Sequence, residues 1–286
     1  MFGFRSDGKR IKNLEPIVKI IPHIMKARHD SQNLFKYEVL CDSIDKFIVE
    51  QRENEEKSFS YMHVVIAAIV RLIALRPQLN RFVVNGRIYR RNNIYVSFVV
   101  KKSLRDDVVE TTVKLKFDGT EDIDTIKEKI DESIRKNSTR KVKNNTDKLA
   151  RFLTRVPNLF IKIGVGFVKL LDRYGMLSRK TIDASPFHTS FFITNLKSIK
   201  TDYIYHHLYD FGTTGLFIAM GKEQMKPIVT KDNKLDVGKV MTLGIVTDER
   251  FCDGFYYANS LRLLKRIMEN PNVLKEKLEK KVEDIK

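Results

Sequence analysis

The sequence predicts one α/β domain, a sheet flanked by helices, and three observations carry the prediction. Between Ser60 and Arg76 apolar residues recur on more than one face, which predicts a largely buried helix that Pro77 stops. Runs rich in β-branched and aromatic residues stand on both sides of it, from Phe35 to Cys41 before and from Arg87 to Thr247 after. No repeat and no Gly-rich linker divides the chain. Residues 1–286 therefore read as a single domain, with an N-terminal arm at 1–15 and a charged tail at 271–286.

Taken in order, residues 1–35 are basic, with an apolar cluster around Ile17, Val18, Ile20, Ile21 and Ile24 broken by Pro16 and Pro22, and predict short helices or an arm. Phe35 to Cys41 alternates as a strand does; Ser43 then caps a short helix through Phe47 and Ile48, and QRENEEKS is a loop. After the core helix, a turn at Arg91 to Asn93 separates two strand-like runs and ETTVKLKF adds a third, so a meander of three strands is expected. Glu121 to Lys136 is an amphipathic helix, KNSTRKVKNNTD a basic loop, and Thr146 or Asp147 opens the next helix.

From Leu149 to Leu171 apolar residues mix with Arg151, Arg155, Lys162 and Lys169, with kinks expected at Pro157, Gly164 and Gly166. The segment reads as a core-packed helical pair whose lysines snorkel. A basic face for an anionic membrane surface, or a cover over the site, is the less favoured alternative. HTSFFITNL, LFIAMG and KVMTLGIVT predict three more strands, the last two joined near Asp232 and Asn233. FYYANSLRLLKRIM is a helix, and the tail from Asn270 a charged helix or frayed end.

Composition excludes more than it identifies. With 42% hydrophobic residues the chain can bury a sizeable core. A net charge of +17 favours polyanions, acidic membrane surfaces or phosphate-bearing ligands without choosing among them. The basic residues are scattered and form no nucleic-acid-binding motif. Cys41 and Cys252 are the only cysteines and form no C-x-x-C pair, which predicts a reducing, cytoplasmic setting and no disulfide framework. The six histidines form no H-E-x-x-H or i, i+4 ligand pair, so no metal is expected. There is no phosphate-binding glycine loop and no G-x-S-x-G elbow.

Three pieces in order carry a family resemblance: RPQLNRF after the core helix, SFFITNL as a late strand, and MTLGIVTDERFCDGFYYANSL as a strand, turn and helix near the end. Over roughly residues 15–270 the chain resembles the chloramphenicol acetyltransferase and dihydrolipoyl acyltransferase catalytic domains, whose tract usually reads H-H-x-x-x-D-G or D-H-R-x-x-D-G. Here the tract is D-E-R-F-C-D-G, and Glu249 stands where the family keeps its catalytic histidine.

The resemblance implies a mixed sheet flanked by helices and transfer of an acyl group from coenzyme A, or its lipoyl counterpart, to a small or carrier-bound acceptor. The tract histidine of the family is the general base. Asp253 matches the family's structural carboxylate, usually paired with an arginine that spacing does not identify here. Gly254 matches the glycine that permits a sharp entry into the helix. Thr194 matches the oxyanion donor that precedes the Asn of the late strand. A homotrimer with sites between subunits is implied, with acyl-CoA as substrate and an unidentified acceptor. No lipoyl attachment site or lipoyl-bearing module is expected.

Glu249 opens alternatives that the residues do not close. A carboxylate is a weak base toward an alcohol and closer in basicity to what a thiol requires. His207, or its neighbour His206, is a candidate substitute base, while His188 lies nearer the Thr194 strand on an uncertain side. The competing reading is a catalytically silent protein that binds coenzyme A or scaffolds a partner, with Glu249 in a structural ion pair such as one with Arg250. Misalignment of the tract is the third.

Overall fold

A computed structural model of the chain describes residues 4–101, 110–139, 157–230 and 232–285. The expected helix of Thr146 or Asp147 lies outside the described residues. The strands are β1 (Gly8–Arg10), β2 (Gln32–Leu40), β3 (Arg81–Val84), β4 (Arg87–Arg91), β5 (Ile94–Lys101), β6 (Glu110–Phe117), β7 (Phe191–Asn195), β8 (Leu216–Val229) and β9 (Leu235–Asp248). The helices are α1 (Pro16–Ile24), α2 (Asp42–Glu55), α3 (Tyr61–Leu75), α4 (Ile123–Thr139), α5 (Asn158–Arg173), α6 (Arg179–Ala184) and α7 (Gly254–Glu269).

α3 lies at the centre because its sequence leaves no polar face. Every residue from His63 to Ala74 is buried. Ser60 caps it, accepting from the His63 backbone N–H while the His63 ring accepts from that of Ser60. Around α3 the main core takes Ile44 and Phe47 of α2, Ile126 and Ile130 of α4, and Tyr257 and Leu264 of α7, all against one face of the sheet.

That sheet has six strands in the order β2-β9-β8-β7-β5-β6. β7 runs parallel to both β5 and β8, and the remaining pairs are antiparallel. The mixed sheet flanked by helices is the architecture expected. Its second face carries a smaller cluster, Phe192, Leu208, Phe217 and Val246, closed by the chain returning from β7 to β8. A separate sheet of three strands, β1-β4-β3, packs Phe82 on Tyr89 with ring centroids 5.4 Å apart.

Several expectations need correction. The meander does not form: β4 pairs with β1 and β3, and only β5 and β6 pair with each other. The turn at Arg91 to Asn93 thus passes between sheets, and the short RFVV run supplies the partner. α2 starts at Asp42, with Cys41 and not Ser43 at the N-cap, and runs through most of the supposed QRENEEKS loop to Glu55. Glu56, in the left-handed region at φ 54°, ends it.

The tail is neither a helix nor frayed. After a 3-10 turn at Pro271–Leu274 it lies back on the core. There Arg71 donates to the Val273 carbonyl, the Val282 N–H to the Ala74 carbonyl, and Arg81 forms a two-point ion pair with Asp284 at 2.6 and 2.7 Å.

α5 is the largest departure from expectation. The described part of the segment is not core-packed, since Leu159, Phe160, Ile163, Val165, Phe167, Val168 and Leu170 are all exposed and Asp172 is the one buried residue of the helix. Pro157 takes the N-cap position, and the helix runs through Gly164 and Gly166 without a break. Its C-terminal turn holds it down. Asp172 accepts from Arg5 and pairs with His188, Arg173 donates to Asn85 Oδ1, and Gly175, at φ +72°, lets the chain pass against the Phe4 carbonyl.

Candidate active site

The tract D-E-R-F-C-D-G turns the chain from β9 into α7. Its fixed point is Asp248. Buried at 1% exposure, it accepts from Arg250 Nε at 2.9 Å and Nη2 at 2.7 Å, from the Arg250 backbone N–H, and from Ser31 Oγ. Arg28 Nε stands 3.5 Å from its other face. Burial lowers the pKa of the Arg28 guanidinium, and the carboxylate of Asp248 partly restores it. Tyr257 Oη donates to the Asp248 carbonyl, and burial pushes that phenol well up, so the ring stays neutral. Charge complementarity and backbone bonds together hold the turn rigid.

Glu249 follows in a 3-10 turn, Glu249–Phe251. Its backbone N–H donates to the Ser31 carbonyl at 2.9 Å, whereas its side chain is exposed. Among the described residues its carboxylate has no ion pair or hydrogen bond. The structural pair with Arg250 weighed above is absent, because both ends of that guanidinium fork are committed to Asp248.

Asp253 is exposed and caps α7, accepting from the Tyr256 backbone N–H at 2.7 Å. No arginine pairs with it among the described residues. The buried carboxylate between arginines is Asp248, five positions before the Asp253 that the resemblance implied. Gly254 is the first residue of α7, and its backbone is outside the left-handed region. A Cβ there would meet nothing within 4 Å, so the glycine is not needed to enter the helix.

Thr194 lies near the end of β7, half-buried, on the face that Phe192 shares with the smaller cluster. Beside it Asn195 Oδ1 is buried with no hydrogen-bond partner among the described residues. The segment after β7 crosses this same face. His206 stacks on Phe217 with centroids 3.9 Å apart, and the exposed His207 lies on His206 at 4.6 Å. Burial lowers the pKa of His206.

His188 is elsewhere and fully buried, its Nδ1 2.8 Å from Ser185 Oγ and its Nε2 3.1 Å from Asp172, in the network that anchors α5. Burial lowers its pKa, with Asp172 opposing.

Within one chain these groups do not converge. Thr194 is level with Ala219 and Gly244 across β8 and β9, and Glu249 lies five residues beyond Gly244. That is on the order of 16 Å along the strands and about 10 Å across them. Next to the tract is a cavity of about 720 Å³, lined among others by Lys26, Arg28, Lys169, Arg173, Arg250 and Asp210. Lone basic residues in scattered sequence positions carry no signal that α1, α5 and the tract would bring them together.

Residues 188–275 match the family model described as 2-oxoacid dehydrogenases acyltransferase (catalytic domain). Among solved structures, the chain is similar to a probable dihydrolipoamide acetyltransferase from Listeria monocytogenes, at 14% identity and a TM-score of 0.58 over 90% of this chain and 93% of that one. It is similar to chloramphenicol acetyltransferase at 12% identity, TM-score 0.54, over 91% and 99% of the two chains. The chain has the acyltransferase fold of this family. A third similar structure is a truncated catalytic core of the 2-oxoacid dehydrogenase multienzyme complex from Thermoplasma acidophilum, at 14% identity and TM-score 0.56, over 92% and 100%. No curated protein matches the sequence. In this acyltransferase fold the tract from Asp248 to Gly254 and the strand bearing Thr194 both fall within the matched residues.

Proposed function

We propose that this chain transfers an acyl group from a coenzyme A thioester to a thiol or hydroxyl acceptor, at a site that two copies of the chain complete. The observation that carries the reading is the state of Glu249: an exposed carboxylate on a rigid turn, with its neighbouring arginine already neutralised by Asp248. A group held out from its own chain and left unpaired is available to a ligand or a second subunit. Thr194 on its own chain is too distant to serve the same acyl carbon, so the partner copy supplies the oxyanion donor, as a trimer with shared sites would.

In this reading Glu249 takes the acceptor's proton, Thr194 donates to the oxyanion of the tetrahedral intermediate, and the CoA thiolate leaves. Asp253 and Asp248 keep the turn in place. The cations around the cavity beside the tract suit a phosphate-bearing thioester. His207, exposed on the Thr194 face, is the substitute base if Glu249 is silent.

The test is thiol release from acyl-CoA across a panel of thiol and alcohol acceptors. Glu249→Gln and Thr194→Ala are each expected to lower kcat by about 100-fold or more. Mixing the two variants after dissociation and reassembly should restore part of the activity, because some shared sites then regain both groups. Full activity in Glu249→Gln removes Glu249 from the role, and failure of mixing to restore activity removes the shared site.

One observation favours a second reading. By the resemblance of the tract, the carboxylate of Glu249 stands where the family has its imidazole, which supports a protein that binds coenzyme A without turnover as the alternative. Saturable CoA binding with no thiol release in any acceptor would establish it.

A further inference from the structure

We propose that α1 and α5 form a monotopic docking face for an anionic lipid bilayer. The inference rests on the surface and not on the acyl-transfer reading. On α5, at 100° per residue, Asn158, Lys162, Lys169 and Arg173 fall in one narrow stripe, and apart from Asp172 the rest of the circumference is apolar or glycine, Leu159, Phe160, Ile163 and Phe167 among it. Such a helix has a wide apolar side and a polar side whose charges are all basic, the pattern of helices that lie in the headgroup plane. The acidic residue of α5, Asp172, is turned inward to Arg5 and His188 and takes no charge from the surface.

The direction of the helix is decided by its anchor. Lys169, Asp172 and Arg173 line the cavity toward the body of the protein. The apolar side therefore points away from it, and Phe160 and Phe167 are 60% and 58% exposed. Gly164 and Gly166 have nothing within 4 Å where a side chain would be.

A second element repeats the pattern independently. α1 presents Ile17, Ile20 and Ile24 at i, i+3 and i+7, exposed by 61, 50 and 68%, with the exposed Lys19 on the opposite side and Lys26 just past the helix end. Pro22, His23 and Lys26 line the same cavity as the anchor of α5, so the two apolar stripes flank one opening. Two neighbouring helices with bare apolar faces and cations on their polar sides, on a chain of net charge +17, match an interface that is apolar within and anionic at its rim. Among the described residues no helix is long and apolar enough to cross a membrane, so the contact is with one leaflet.

Cosedimentation with vesicles of phosphatidylcholine alone, and of phosphatidylcholine mixed with phosphatidylglycerol, tests the proposal on the full chain. The protein is expected to bind the mixed vesicles at low salt and to be released as salt rises. Phe160→Glu with Phe167→Glu, both at exposed positions, should lower the bound fraction roughly tenfold or more. Lys162→Glu with Lys19→Glu should do the same for the anionic vesicles, at unchanged melting temperature. Absence of binding to the mixed vesicles, or equal binding to neutral ones, overturns the proposal. So does loss of self-association in the Phe160→Glu, Phe167→Glu variant by sedimentation velocity, which would assign the face to a second copy of the chain.

Discussion

Arg250 grips Asp248, two residues before it, through both carboxylate oxygens, and the pair is buried with Arg28 behind it. Removing the carboxylate leaves two guanidinium groups buried without their counter-charge. Asp248→Asn is expected to cost about 3 kcal/mol or more, read as a fall in the urea midpoint at unchanged slope. A loss under about 1 kcal/mol would show that the arginines find water or other acceptors.

Asp253 and Gly254 are adjacent but have opposite expectations. Asp253→Ala removes the cap of α7 and should cost about 1 kcal/mol. Gly254→Ala should instead stabilise by about 0.4–1 kcal/mol, because the backbone is one any residue adopts and the space is open. Thermal melts of the two variants decide this. A destabilised Gly254→Ala would restore the conformational role expected from the tract.

Lys114 gives a pH signature. Burial pushes its amine down to about 7, although it donates to the Ile182 and Ser185 carbonyls. In the unfolded chain the same amine keeps its proton to near 10.5. Between those two values the unfolded state binds more protons, so stability relative to Lys114→Met should rise as pH rises from about 7 toward 10.5. Below that window both states are charged and the difference should be flat. Denaturant titrations of the two proteins across the range check it; a constant difference throughout would mean that the amine is not desolvated.

Of the contacts that lay the tail on the core, the Asp284 pair is the buried charged one. Asp284 pairs with Arg81 where both side chains are almost fully buried, 7% and 4% exposed. Asp284→Ala should destabilise by about 3 kcal/mol and raise proteolysis after Leu274. Stability equal to the parent would make the tail a loose appendage.

Much of this was legible locally. α3 was legible because an all-round apolar run with a serine before it and a proline after it has one stable state in water. β7, β8 and β9 were legible because alternating or continuous β-branched runs bounded by turns have few alternatives. β4 and β5 were legible as strands but not as members of different sheets, since pairing partners are chosen by contacts distant in sequence. α5 was misread for a related reason. Apolar residues on a helix announce that a face will be covered, and nothing local states by what.

The sequence by itself determined most of the longer helices and strands, the α/β class and the D-E-R-F-C-D-G tract between a strand and a helix, because these depend on side-chain periodicity and on short-range order along the chain. Tertiary structure alone decided where charge would be neutralised. Arg250 lies within two residues of both Asp248 and Glu249, and only the packing of Ser31 and Arg28 against the turn commits it to Asp248 and leaves Glu249 exposed. The same holds for Arg5, Asp172 and His188, which come from three distant segments to form one buried network, since Coulomb attraction acts across space and is indifferent to the order of residues.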